Sequence, residues 1–179
     1  MLTALSSLAA EQANPTKRTM EKTLQFLDYA ASQNDAVVTY HKSDMILAVH
    51  IDASYLSEPK ARSRAGGHFF FSENDKDPKD NGALHIVVKI IKQFVLSAAE
   101  AELGRLFINA KTAVPIRTTL EELGHKQLPS PIRTDNSTAC RVVNNDVQPK
   151  ATKIMDMHFY WLKDRKAQKQ LKFIGELGN

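Results

Sequence analysis

The chain has 179 residues, 42% hydrophobic and 25% charged, enough for one substantial core or for one domain with an appendage. Its net charge of +4 and pI of about 9.1 allow a polyanionic partner without demanding one. A lone cysteine, Cys140, excludes an internal disulfide and a cysteine metal cage and fits a reducing compartment; no apolar run reaches membrane-spanning length, and MLTALSSLAAEQANPTKR is a poor signal peptide.

Residues 1–35 read as helical. Leu2, Leu5 and Leu8 are spaced by three, Asn14-Pro15 breaks the run, and Met20, Leu24, Leu27 and Ala31 repeat at helical spacing after an N-cap at Thr19. Such a stripe ordinarily packs. Val37 to Tyr40 reads as a short strand. Met45 to Ser54, MILAVHIDAS, is rich in branched apolar residues and reads as a strand buried inside a sheet, with Asp52 at its end. A carboxylate there must find a cation, a donor or water, because an unpaired buried charge is very costly. Taken alone, Asp52 also suits the cap of a turn.

The next stretch, YLSEPKARSRAGGHFFFS, carries a basic cluster of Lys60, Arg62 and Arg64, then Gly66-Gly67 as a turn, then a strand from His68 to Ser72. The cluster reads as a solvated loop or as a phosphate contact beside an acidic site. Glu73 to Gly82, ENDKDPKDNG, is a long hairpin loop without the ligand spacing of an EF-hand. Ala83 to Ile91 is dense in β-branched residues and makes a third strand. Three strands in succession suggest an antiparallel meander.

Ser97 and Glu100 fit a capping box at the start of a helix whose buried face is Ala99, Leu103, Leu106, Phe107 and Ala110. Glu100 therefore has a structural task, which leaves Glu102 as the preferred ligand and Glu100 as second choice. A further helix is expected from Pro115 to Leu123, closed by Gly124. Ile132 to Thr134 is a short strand with Asp135 at its C-terminal end, and Asn136-Ser137-Thr138-Ala139 opens another helix. Functional side chains often sit just outside strand ends in α/β sheets, although Asp135 serves equally as an N-cap. A helix follows from Lys153 with an apolar stripe at Met155, Phe159 and Leu162. His158 reads as a packing or surface residue. Leu171 to Ile174 is the last strand.

Asp52, Glu102 and Asp135 lie far apart in the chain, each at the edge of an apolar element. We read them as converging on divalent metal. Hard oxygen ligands favour Mg²⁺ or Mn²⁺ over zinc, and two such ions about 3.5–4 Å apart need several bridging carboxylates.

Four segments carry a family resemblance: LAVHIDASYLSEPKARSRAGGHFFFS, SAAEAELGRLF, LEELGHKQLPSPIRTDNSTA and KIMDMHFYWLKDR. In this order they resemble the ribonuclease H region of a copia-type (LTR) retrotransposon Pol polyprotein. LSSLAAEQANPTKRTMEKTLQFLDYA resembles the end of the reverse transcriptase connection that precedes it. The resemblance implies a connection tail at residues 1–36 and a ribonuclease H-like domain at 37–179. The fold implied is an α/β mixed sheet, three antiparallel strands followed by parallel ones, flanked by helices. It further implies hydrolysis of the RNA strand of RNA–DNA hybrids, with Asp52, Glu102 and Asp135 as catalytic metal ligands for two Mg²⁺ or Mn²⁺ ions. Contacts to the nucleic acid would come from Lys60, Arg62, Arg64, Asn136 and Ser137.

The implied partners are the hybrid and, if fused, an upstream reverse transcriptase domain, with no membrane. The implied location is intracellular, in a cytoplasmic virus-like particle or the nucleus. The family has a fourth acidic ligand, in an Ala-Asp motif after the last strand, and ELGN ends about where that motif should begin. A domain incomplete at its C-terminus and lacking this ligand holds the second metal weakly, so residual or no hydrolysis is expected. The competing class is a non-catalytic hybrid-binding or structural remnant. A transposase or integrase is disfavoured because the glutamate comes second rather than last.

Overall fold

The computed structural model describes residues 1–58, 62–74, 79–91, 98–135, 137–144 and 153–175; the side chains at 53–58, 62, 98–99, 137–139 and 153–155 are not described. Met1–Thr39 and Tyr40–Asn179 form two separate compact units.

The first unit contains helices α1 (Leu2–Glu11) and α2 (Lys17–Ala31). The N-cap of α2 is Thr16 rather than Thr19. The Thr16 and Thr19 side chains each bond the other's backbone N–H, at 3.1 and 3.2 Å, satisfying donors that a helix start leaves orphaned. Glu11 pairs with Lys22 and accepts from Thr19, which ties α1 to α2 and holds the Glu11 carboxyl below its usual range. Of the expected stripe, Met20, Leu24 and Leu27 are exposed instead of packed.

The second unit is a sheet with helices packed on one face. In chain order it has β1 (Ile46–Glu58), β2 (Arg62–Ser72), β3 (Ala83–Ile90), α3 (Ala98–Glu122), β4 (Ser130–Thr134), α4 (Ser137–Asn144), α5 (Lys153–Ala167) and β5 (Leu171–Gly175). The sheet order is β3-β2-β1-β4-β5. The first three strands are antiparallel, and β4 and β5 run parallel to β1. Residues alternate between faces along a strand. Leu47, Val49 and Ile51 of β1 therefore join Phe69, Ile132, Leu171 and Phe173 beneath Leu103, Leu106, Ala110, Phe159 and Leu162 of the helices. On the other face, Phe70 is buried between the rings of His50, edge-on, and His68, stacked.

Three expectations change. Val37 to Tyr40 forms no strand, and both valines are exposed. Gly66 and Gly67 make no turn, because β2 extends back to Arg62 and pairs the two glycines with Asp52 and Ile51. The fully buried side chain of Asn109 on α3 fills the space that a Cβ on Gly67 would occupy, so the glycine permits close approach of helix to strand. The two expected helices are a single α3 that contains Pro115. Proline removes the bond to the carbonyl of residue 111, and both positions are exposed, where water can replace it. The buried series Leu106, Ala110, Ala113, Arg117 and Leu120 meanwhile keeps one face of the helix on the core. The expected cap residue Ser97 lies outside the described residues.

Helix α3 ends at Gly124, as the sequence suggests. The glycine has φ of +90°, with His125 N–H bonding Leu120 O and Gly124 N–H bonding Glu121 O. Arg117 is buried there. It donates to Glu121, to the carbonyls of Gln127 and Leu128, and to Ser130 Oγ, which fixes the turn into β4. Burial, partly offset by Glu121, lowers its pKa.

Candidate active site at the carboxyl end of the sheet

The register brings two of the three predicted carboxylates, Asp52 and Asp135, to one end of the sheet. Ile51 of β1 pairs with Thr134 of β4, so Asp52 and Asp135 each lie one residue beyond the same row of a parallel pair. Neighbouring strands run about 4.8 Å apart, so the two backbones lie side by side where β4 ends; Asp52 does not end its strand as expected, because β1 runs on to Glu58 paired with β2. Both aspartates are exposed. Ser54, Arg64 and Ile90 form another row at this end, so β3 delivers the chain here before α3 begins. Glu102 lies in the opening turns of α3, 13% exposed. Its carboxylate lies near the buried Cys140 of α4. Burial first, and the charge of Glu102 second, push the Cys140 thiol up to about 11.

The three side chains do not form a closed cage. Alternation turns Asp52 to the face opposite Ile51, whose side chain packs under α3, so Asp52 and Glu102 approach the sheet end from its two sides. Glu102 is also engaged by an ion pair, with Arg105 Nη1 on its Oε1 at 2.5 Å. Among the described residues, no group of three or more His, Cys, Asp or Glu side chains stands close enough to hold a metal ion. The donor chemistry suits a hard divalent cation, but the arrangement as it stands does not fit one.

The other predicted contacts are placed as follows. Arg64 is 4% exposed within the sheet instead of displayed on a loop. The Arg62 side chain, the Ser137 side chain and all of Lys60 and Asn136 lie outside the described residues. Glu100 is partly buried two residues before Glu102. His158 is a packing residue, its ring stacked 3.8 Å from that of Phe107. Burial and the nearby Lys111 lower its pKa.

Sequence reasoning missed three buried polar residues, two beside the site and one at the opposite end of β1. Asn109 Nδ2 donates to Gly66 O and Arg105 O, both at 3.1 Å, and so joins α3 to the strand beside Asp52. Gln127 accepts from Leu47 N–H at 3.0 Å and donates to Met45 O at 2.8 Å, clamping the entry to β1. Arg105 is the third. Its spacing of three from Glu102 on a helix was a readable signal.

No family model matches the chain. Among solved structures, it is similar to LC11-RNase H1, isolated from compost by a metagenomic approach, with TM-score 0.51 and 13% identity over 74% of this chain and 84% of that one.

The fold is ribonuclease H-like.

The same ribonuclease H1 in complex with an RNA/DNA hybrid matches at TM-score 0.50 and 13% identity, over 73% of this chain and 84% of that one. In sequence, the chain is 25% identical over 162 residues to the retrovirus-related Pol polyprotein from transposon TNT 1-94 of Nicotiana tabacum. The match takes in 90% of this chain and 12% of the polyprotein. A ribonuclease H-like sheet and a retrotransposon Pol relative thus coincide in one chain.

Proposed function

We propose that this chain is the ribonuclease H domain of a retrotransposon polyprotein. It hydrolyses the RNA strand of RNA–DNA hybrids, with Asp52, Glu102 and Asp135 as ligands for Mg²⁺ or Mn²⁺. One observation carries the reading. In a ribonuclease H-like fold, Asp52 within β1 and Asp135 just past β4 each lie one residue beyond the last paired row of two adjacent parallel strands, and Glu102 lies in the opening turns of α3. The ribonuclease H1 with the same fold binds an RNA/DNA hybrid, which supports the substrate class. The Pol relative supports the retroelement context. Residues 1–36 serve as the tail of a reverse transcriptase connection and 37–179 as the nuclease-like domain, working inside the cell. Hybrid recognition rests on backbone shape and 2′-hydroxyls, with little sequence preference. Lys60, Arg62, Asn136 and Ser137 supply the backbone contacts, and the buried Arg64 the least of them.

A second reading, hybrid binding without turnover, is favoured by the Arg105–Glu102 pair and by the lack of a three-carboxylate group among the described residues. Incubating a labelled hybrid with divalent metal and either wild type or Asp52→Asn separates the two. Cleavage by wild type alone supports the nuclease. Salt-dependent binding without cleavage supports the second reading. Equal cleavage by both proteins rejects the site, and neither binding nor cleavage rejects both readings.

A further inference from the structure

Arg105 is 2% exposed, and α3 carries its guanidinium into the interior beside the candidate site. Only Nη1 has a partner among the described residues, the Glu102 carboxylate. Nε and Nη2 are buried with no hydrogen bond there. A guanidinium offers five donors in a fixed fork and stays charged at any pH a protein survives. Leaving buried donors unsatisfied is costly, so this arrangement is poorly explained as a stability device. The neighbouring chemistry offers another account. Glu102 is the one predicted ligand that is largely buried, and it already holds a cation.

We infer that Arg105 is a resident counter-cation that competes with the divalent ion for Glu102. The inference rests on the assignment of Asp52, Glu102 and Asp135 as the ion site. Two positive groups cannot share one carboxylate at contact distance without strong mutual repulsion, because the interior screens charge far less than water does. While the guanidinium holds Glu102, that carboxylate would therefore bind a divalent ion more weakly. The resident arginine weakens divalent binding and leaves Asp52 and Asp135 exposed at the sheet end. Arg105 is a positioning residue on this view, acting through Glu102.

The test is Mn²⁺ binding to the full chain, read from the free-ion signal in electron paramagnetic resonance, so that no activity is needed. Arg105→Met keeps the length of the side chain and removes the charge. It should bind Mn²⁺ at least tenfold more tightly than wild type, and adding Glu102→Gln should abolish the gain. Arg105→Lys keeps a cation and should stay near wild type. Unchanged or weaker binding by Arg105→Met, while Asp52→Asn still lowers Mn²⁺ affinity, overturns the role of Arg105 and leaves the site standing. If no substitution at 52, 102 or 135 alters Mn²⁺ binding, the site itself fails and the inference with it. Should Arg105→Met not fold, the wild-type protein decides. The slowly exchanging Arg105 guanidinium resonance should shift as Mg²⁺ is added. A resonance unmoved at Mg²⁺ concentrations that shift the Asp52 amide refutes the competition.

Discussion

Gly67→Ala should be among the most damaging single-methyl additions to this domain. The new Cβ would lie 1.9 Å from Asn109 Oδ1, 2.8 Å from Asn109 Cγ and 3.1 Å from Phe69 Cε2. Backbone strain is not the cause, since the only described glycine with positive φ is Gly124. The neighbours must move, and Asn109 is fully buried with its amide donating to Gly66 O and Arg105 O. Giving up those two bonds costs about 1 kcal/mol each, and forcing α3 from β2 adds roughly 1–3 kcal/mol. The lower entropy of an unfolded alanine returns about 0.4–1 kcal/mol. The net loss is about 3 kcal/mol, measurable by urea unfolding followed by circular dichroism. In an Asn109→Ala background the obstacle is gone, and the same substitution should cost less than about 1 kcal/mol. A Gly67→Ala protein within about 0.5 kcal/mol of wild type, or an equal cost in both backgrounds, refutes the close-approach reasoning.

Gln127→Leu removes the clamp on the start of β1 and leaves the buried Leu47 N–H without an acceptor, a loss of about 1–3 kcal/mol in the same unfolding assay; a neutral result contradicts the clamp. The Cys140 thiol, raised from 9.0 to about 11, should have roughly a hundredfold less thiolate at pH 8 than the unfolded chain. Native protein should therefore label far more slowly than denatured protein, and Glu102→Gln should speed the labelling; no change would remove Glu102 as a cause. His158 has a folded pKa below 6.5. Its contribution to stability is therefore complete above that value and is lost as pH falls beneath it, because the unfolded imidazole takes up a proton that the native site refuses. His158→Phe should flatten the fall in Tm between pH 7 and pH 5, and an identical fall in both proteins argues against the buried ring.

Much of the sheet was legible because its signals are local. The branched runs of β1 and β3, the apolar pattern of β4 and β5, and the turn at Gly124 each depend on a few neighbours in the chain. What escaped depends on residues distant in sequence. Gly66-Gly67 looks like a turn until Asn109, more than forty residues later, is seen against it. Pro115 looks like a helix start until the packed series on either side shows that burial outweighs one missing bond. The exposed stripe of α2 has the periodicity of a packed face and no packing. At the site, residue type and strand ends pointed to Asp52 and Asp135. The grip of Arg105 on Glu102 turns on a side-chain orientation that spacing permits but does not dictate.

The proposed convergence of three distant carboxylates on one ion can be tested through the line broadening that Mn²⁺ produces in amide resonances. Titration into the labelled chain should broaden amides around residues 52, 102 and 135 first, and Asp52→Asn should weaken the effect at all three. Early broadening confined to the acidic connection between Glu73 and Gly82, with none at those three positions, would contradict the site.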